Sequence, residues 1–132
     1  MNRAQILEKL EEIRGEAEQI MKLVNDRGDR VPADRVHEAQ ELMRALKEKL
    51  RGEYNRMATI KGEAALTDQE RHFYLPAIAD AWANTVVGPI RWNSRPNKDW
   101  YDALWSIEDY MGHWSGQLKS EPGYKDSVQV IV

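Results

Sequence analysis

Apolar residues recur at spacings of three and four along most of this chain, and that rhythm restricts the fold more than any other feature. An α-helix makes one turn in about 3.6 residues, so this spacing gathers apolar side chains on one helix face. The alternation typical of strands is nearly absent until the last few residues. The sequence therefore predicts an all-α fold.

Two long amphipathic helices are predicted in the first half of the chain. They extend from about residue 3 to 25 and from about residue 33 to 60, because residues 25–32 combine Asn, Asp, Gly and Pro. So short a connection returns the second helix antiparallel to the first, as a helical hairpin over residues 3–60. The predicted apolar seam consists of Ile6, Leu10, Ile13, Ala17, Ile20 and Val24 in the first helix and of Val36, Ala39, Met43, Leu46, Leu50, Tyr54 and Met57 in the second.

A third helix is predicted over residues 66–87. Thr67 and Glu70 have the spacing of a capping box, in which two side chains satisfy backbone N–H groups at a helix start. Pro76 leaves two arrangements open, either one helix that kinks before the proline or a second helix that begins with it. A broad apolar arc indicates neighbours on several sides, and it consists of Leu75, Ile78, Ala79, Trp82, Ala83 and Val86.

A last helix is predicted from a cap at Asn97 to about residue 118. Residues 120–132 are predicted as an irregular or strand-like tail. We expect one domain over residues 1–132, in which the hairpin of 3–60 and the aromatic half of 67–119 form a four-helix bundle-like arrangement. The seam of the last helix consists of Trp100, Leu104, Ile107, Met111, Trp114 and Leu118.

The composition excludes several classes of protein. The chain has 132 residues, no cysteine and a net charge of -3, so it has no disulfide framework, no thiol nucleophile and no overall charge suited to nucleic acid. No run approaches the roughly 20 apolar residues that span a bilayer, and the charged first residues do not resemble a signal peptide. We expect a soluble, cytoplasmic protein without membrane contact.

The hairpin seam is the basis of the main functional hypothesis. The longer helix would span about 40 Å with only a narrow apolar stripe, which is more seam than we expect one chain to cover. A second copy of the chain would cover the remainder. We therefore predict a protein-interaction module of the adaptor, assembly-factor or inhibitor type, which forms a homodimer and binds a protein partner.

An aromatic and basic stretch over residues 91–101, with Trp105 one turn further on, is the second candidate site. Stacking rings and guanidinium groups that pair with phosphate are typical of sites for single-stranded nucleic acid or small phosphate ligands. The same residue types suit protein interfaces, in which Trp and Tyr are over-represented. The candidate interaction surface consists of Arg91, Trp92, Arg95, Lys98, Tyr101 and Trp105.

Asp80 and Asn84 are candidate buried polar residues, because with Glu70 they form the narrow polar strip of the third helix. A buried carboxylate without a partner is strongly destabilising. We expect a structural ion pair between Asp80 and Arg91 or Lys98. The alternative is a polar pocket that Asp80 and Asn84 line together with nearby rings.

The spacing Asp-x-x-x-His occurs twice, as Asp68 with His72 and as Asp109 with His113. Each carboxylate lies one turn from an imidazole on the same helix face, and two such pairs on facing helices would supply four metal ligands. On the last helix the pair lies roughly opposite the apolar seam. We therefore interpret both as surface pairs.

Glu-x-x-Glu occurs on both hairpin helices, as Glu8/Glu11 and Glu38/Glu41. It distantly resembles the paired acidic motifs of all-α nucleotide pyrophosphohydrolases of the MazG kind, whose carboxylates hold magnesium against a pyrophosphate. That resemblance implies a third hypothesis, a metal-dependent nucleotide hydrolase. Antiparallel pairing separates the two patterns within one chain, and Glu41 stands where the family has aspartate. We predict no catalytic residue, no cofactor and no metal site.

Overall fold

A computed structural model of the chain describes residues 1–24, 33–87 and 98–121. These residues contain helices and no strand, so the all-α prediction is confirmed. Within these ranges, no helix combines the length and the apolar character needed to cross a membrane. Residues 25–32, the connector 88–97 with the predicted cap Asn97, and the tail 122–132 lie outside the described residues. The elements are α1 (Arg3–Leu23), α2 (Ala33–Met57), α3 (Ile60–Ala65), a π-helical turn (Glu70–Tyr74), α4 (Leu75–Ala83) and α5 (Lys98–Ser120).

Polar contacts between α1 and α2 fix their relative direction. Arg35 at the start of α2 donates to the backbone oxygen of Lys22 near the end of α1, at 2.8 Å. Further along α2, Lys49 donates to Glu16 of α1 at 2.6 Å. Residue numbers thus rise along one helix as they fall along the other, so the two helices pack antiparallel as predicted.

α5 is the main neighbour of α1. Arg3 at the start of α1 pairs with Glu121 just beyond the end of α5, and Arg14 lies 3.8 Å from Glu108 in the middle of α5. α5 also contacts α4, and α4 contacts α2. The long helices therefore form a closed ring of contacts, which is compatible with the predicted bundle-like arrangement.

This ring covers the hairpin seam within one chain. All six seam residues of α1 are at most 1% exposed, because α1 lies between α2 and α5. Val36, at 7%, is the most exposed of the buried seam residues in α2. The half-buried Tyr54 packs against Trp82, with their ring centroids 5.0 Å apart. The homodimer hypothesis assumed apolar seam in excess of what one chain covers, and that premise is wrong for the described residues.

α2 ends earlier than the periodicity predicts. The predicted end is Ile60, whereas α2 ends at Met57 and a short α3 follows. The hydroxyl of Thr59 accepts the N–H of Gly62 at 2.9 Å and so caps α3. A Cβ at residue 62 would lie 2.0 Å from the backbone oxygen of Arg56, so only glycine permits this close return of the chain. Ile60 is consequently 91% exposed.

The helical segment after α3 starts at the predicted capping box, and it contains a π-helical turn just before the proline. Thr67 and Glu70 exchange hydrogen bonds between side chain and backbone at 3.0 and 3.2 Å, as predicted. The N–H of Leu75 donates to the oxygen of Glu70, five residues back, in a π-helical turn. Pro76 follows directly in the first turn of α4, and it donates no N–H to the helical turn before it.

The buried residues between Glu70 and Val86 differ from the predicted apolar arc. Val86 is 72% exposed and Ala83 is exposed as well, whereas Glu70 of the predicted polar strip is only 5% exposed. The predicted arc was too broad to define one buried face. The packing of α4 against α2 and α5 decides which of its residues are buried, and small alanines permit close approach of the helices. The buried residues of this segment are Tyr74, Ala77, Ile78, Ala81 and Thr85.

Candidate functional site

Trp105 lies on the outer face of α5. Each residue along an α-helix advances by about 100°, so a residue next to the seam residue Leu104 points away from the core. Trp105 is 55% exposed, whereas Leu104 is completely buried. Of the six predicted surface residues, Lys98, Tyr101 and Trp105 are placed together on α5, with Tyr101 half-buried.

A depression beside Trp105 has a volume of about 300 Å³. We call it the α5 groove. Gly112 leaves it open, because no atom lies within 4 Å of a Cβ built at that residue. The groove therefore combines an exposed indole, open space and ionisable side chains. Its lining consists of Arg14, Trp105, Glu108, Asp109, Gly112 and His113.

The surroundings of Trp105 are mainly acidic. Asp102 and Asp109 lie about one turn before and after it on the exposed side of α5. Lys98 donates to Asp102 at 3.1 Å, and Arg14 lies 3.8 Å from Glu108, beyond hydrogen-bond distance. No described cation forms an ion pair with Asp109, so the groove keeps a carboxylate available beside the indole.

Three of the predicted surface residues, Arg91, Trp92 and Arg95, lie outside the described residues. Lys98, the remaining predicted cation, donates to a carboxylate of its own helix, Asp102. The described part of the predicted surface therefore consists of two aromatic residues and one lysine that pairs with a neighbouring carboxylate.

Asp80 has a partner that the sequence reasoning missed. Its carboxylate accepts the indole N–H of Trp114 at 2.8 Å, instead of pairing with Lys98. Asn84 donates from its side chain to the backbone oxygen of Asp80 at 2.8 Å, and so holds the end of α4. Both are half-buried. Asp80 thereby joins α4 to α5, and neither residue lines the α5 groove.

A second cavity, of about 660 Å³, lies between α1, α2, the π-turn and α4. We call it the α1–α2 pocket. Its floor includes Ile13, Leu50 and Ile78, and the buried Tyr74 forms part of its wall. No periodicity argument brings these residues together, because they come from distant helices. The polar lining consists of Lys9, Glu48, Lys49, Glu53, Arg56 and Glu70.

The carboxylates of Glu53 and Glu70 at this pocket each have hydrogen-bond or ion-pair partners. The hydroxyl of Tyr74 donates to Glu53 at 2.6 Å, and Arg56 donates to both oxygens of Glu53 at 3.1 Å. Glu70 accepts the N–H of Thr67 and lies 3.3 Å from the amino group of Met1. The spacing of Thr67 and Glu70 signalled part of this network, but nothing in the sequence linked Tyr74 to Glu53.

The half-buried Glu53 and the buried Glu70 are both held ionised by these donors. Burial acts to raise the pKa of Glu53, but the hydrogen bonds from Arg56 and Tyr74 outweigh it and hold the pKa below its ordinary value. The pKa of Glu70 is likewise lowered, because the donors at Thr67 and the Met1 amino group outweigh burial. Burial and the neighbouring Glu53 raise the pKa of Tyr74, so its phenol stays a donor.

The lowered pKa values of Glu53 and Glu70 predict acid sensitivity. In the unfolded chain these carboxyls protonate first, near pH 4.3, so their contribution to stability is complete above that pH and is lost as pH falls through the lower folded pKa values. Urea unfolding between pH 7 and pH 3 measures this loss. In Glu53→Gln the free energy of unfolding should fall less between pH 7 and pH 3. Glu38→Gln, at an exposed residue, is the control, and an equal change in both variants would contradict the assignment.

The acidic patterns considered for metal chemistry are all on the surface. Asp68, His72, Asp109 and His113 are exposed, and Asp68 pairs with Arg71 at 3.3 Å. The four glutamates of the Glu-x-x-Glu patterns are exposed as well. Among the residues that the structure describes, no group of three or more His, Asp or Glu side chains could hold a metal ion.

Comparison with protein-family models, curated proteins and solved structures finds no match.

Proposed function

We propose that this protein is a protein-interaction module in which the α5 groove docks a basic segment of a partner protein. We base this on the exposure of one side chain: Trp105 is 55% exposed, whereas Trp100 on the same helix is 5% exposed. An indole at an interface removes a large apolar area from water, and truncation of a central Trp commonly costs 2 kcal/mol or more of binding. Trp105 is therefore the anchor of the proposed contact.

The charges around the anchor define the partner. Glu108 and Asp109 line the groove, and Asp102 lies one turn away. A guanidinium or ammonium group is attracted both by the face of an indole and by neighbouring carboxylates. An arginine or lysine side chain of the partner is thus expected to stack on Trp105 and pair with Asp109.

The acidic groove also favours a different chain over a second copy. A two-fold symmetric dimer through this groove would bring together two copies of a lining that has two carboxylates and one guanidinium group. Like charges across an interface are unfavourable. We therefore assign the interaction to α5 and a basic partner rather than to self-association through the hairpin. The same carboxylates disfavour phosphates, so the nucleic-acid alternative would depend on Arg91, Trp92 and Arg95.

Two groove variants and one matched control test the proposal. Trp105→Ala removes the anchor, and Gly112→Leu fills the groove from a position where a side chain meets no other atom. Each should weaken binding of the partner about 10- to 100-fold, as expected for a central contact. Affinity purification from source cells with quantitative mass spectrometry identifies the partner, and titration with that purified partner at low and high salt measures the affinity.

Gly116→Leu is the matched control, because Gly116 is an exposed glycine of α5 at which an added Cβ also meets no atom within 4 Å, and it does not line the groove. It should retain the partner at the wild-type level. Retention of the same proteins by all three variants would contradict the docking site. A partner whose affinity does not fall with added salt would contradict its basic character.

A further inference from the structure

We propose that His113 makes the docking of a basic segment in the α5 groove dependent on pH, so that the segment binds more weakly once the imidazole takes up a proton. This regulation rests on the function proposed above and acts at the same site. Imidazole is the side chain that ordinarily changes its charge between pH 5 and pH 8. All three histidines of the chain lie in the described residues, and among them His113 alone lines the groove.

A ring contact holds the His113 side chain at the groove. Its imidazole packs edge-to-face against Trp114, with the ring centroids 5.2 Å apart and the ring planes at 75°. The indole N–H of Trp114 donates in turn to Asp80 of α4 at 2.8 Å. The imidazole is exposed and so exchanges protons with solvent, but its position is supported by a ring that is tied to a second helix.

The net charge of the groove lining is small enough for one proton to cancel it. With a neutral imidazole, the lining carries the two carboxylates of Glu108 and Asp109 and the one guanidinium group of Arg14. A protonated His113 adds a second positive charge, so the lining loses its net negative charge. An arginine or lysine of the partner would then gain less from the groove, because like charges repel and the opposite charges are already balanced.

Asp109 gives the proton a second effect. His113 follows it by four residues, which places the imidazole and the carboxylate on the same helix face. Asp109 is also the carboxylate with which the partner's cation is expected to pair. An imidazolium one turn away competes for that carboxylate, so both effects of the proton weaken the docking of a basic segment.

The other charged groups near this part of α5 come from its neighbouring elements. Arg14 of α1 faces Glu11 and Glu108, each at 3.8 Å, and Asp80 of α4 already accepts an indole N–H. Carboxyl and guanidinium groups ordinarily keep their charge between pH 5 and pH 8. The π-helical turn also contacts α5, and it carries a second imidazole, His72, outside the groove lining. A pH effect in this range therefore points to a histidine.

Titration with a blocked tetra-arginine peptide tests the proposal, because its guanidinium groups stand in for those of a partner. Binding is measured from the indole N–H signal of Trp105 in proton–nitrogen correlation spectra, and this signal is assigned by its loss in Trp105→Ala. Measurements at pH 5.5 and pH 7.5 bracket the ordinary titration of an imidazole near pH 6.5. The affinity should be about threefold lower at the lower pH, a typical effect of one exposed charge.

Three variants assign the pH effect. In His113→Gln the affinity should be the same at both pH values. His72→Gln is the matched control and should keep the pH effect, because His72 also follows an exposed aspartate, Asp68, by four residues but lies outside the groove. Asp109→Asn should bind the peptide at the higher pH at least as weakly as the wild type does at the lower pH, since each change makes the lining more positive by one charge.

The results separate the pH switch from the docking itself. Equal affinity of the wild type at both pH values, or a pH effect that persists in His113→Gln or disappears in His72→Gln, would overturn the role of His113 and leave the docking of a basic segment intact. A Trp105 signal that does not respond to the peptide at either pH, or wild-type affinity in Asp109→Asn at the higher pH, would contradict the docking site and the pH switch together.

Discussion

Replacement of Ile107 by alanine should lower the free energy of unfolding by about 2–5 kcal/mol, the usual cost of truncating a fully buried isoleucine. Ile107 is completely buried in α5, the helix with which α1 makes its most extensive contacts. The lost methyl groups remove apolar burial and leave a cavity that surrounding helices fill only partly. Urea unfolding followed by circular dichroism measures the difference.

Ile60→Ala is the matched control, because it makes the same chemical change at a side chain that is 91% exposed. Its effect should stay within about 0.5 kcal/mol. Similar losses for the two variants would contradict the packing of α5 against α1.

The urea midpoint of unfolding should also be independent of protein concentration, because the seam closes within one chain. A dimer closed by the hairpin would instead unfold at a higher urea concentration when the protein is more concentrated.

Replacement of Tyr74 by alanine should cost about 3–5 kcal/mol, because it empties the space of a buried aromatic ring. Tyr74 is 1% exposed, and its hydroxyl donates to Glu53 at 2.6 Å. The variant therefore loses both ring packing and a donor to a carboxylate. Tyr74→Phe separates the two effects, since it keeps the ring and should cost about 1–3 kcal/mol, the range for an unmet hydrogen bond to a charged group.

Tyr110→Ala is the comparison for the ring, because Tyr110 is 38% exposed on α5 and its loss should cost clearly less. A double-mutant cycle of Tyr74→Phe with Glu53→Gln gives the energy of the hydrogen bond itself. Additive effects of the two substitutions would mean that the two side chains do not interact in solution.

The helices that pack along one continuous stripe were predictable from the sequence. In α1 and α5 the apolar residues at every third or fourth position lie on one helix face, so spacing alone identified the stripe. The capping box of Thr67 and Glu70 was predictable for a related reason, because both partners lie within one turn. Local spacing is sufficient wherever the interacting residues are near in sequence.

Interactions between distant residues were not predictable. Apolar periodicity continues past Met57, and the break there depends on a backbone contact at Gly62 that a hydropathy pattern does not contain. The pairing of Asp80 with Trp114 joins two helices, and a search for a cationic partner overlooked a neutral indole N–H. The sequence predicted more apolar seam in the hairpin than one chain covers, because the packing of α5 on that seam is a tertiary contact that spacing does not show.

The candidate site was predictable only in part. The exposure of Asp109 followed from its position opposite the stripe of α5, whereas spacing placed Trp105 off the stripe without deciding whether it is covered or exposed. The groove itself required Arg14 of α1, whose approach to Glu108 depends on how two helices dock. The α1–α2 pocket was not predictable, because its floor is assembled from three helices.

The closure of the ring by α1 and α5 has a consequence for biosynthesis. The first described helix completes its packing only when the last one arrives, so these contacts span most of the chain and contribute to a high contact order, which slows folding. On the ribosome, α2 can cover only part of the apolar stripe of α1, and the part that packs on α5 stays uncovered until α5 has been translated. We therefore expect nascent chains to expose apolar helix surface of the kind that chaperones recognise.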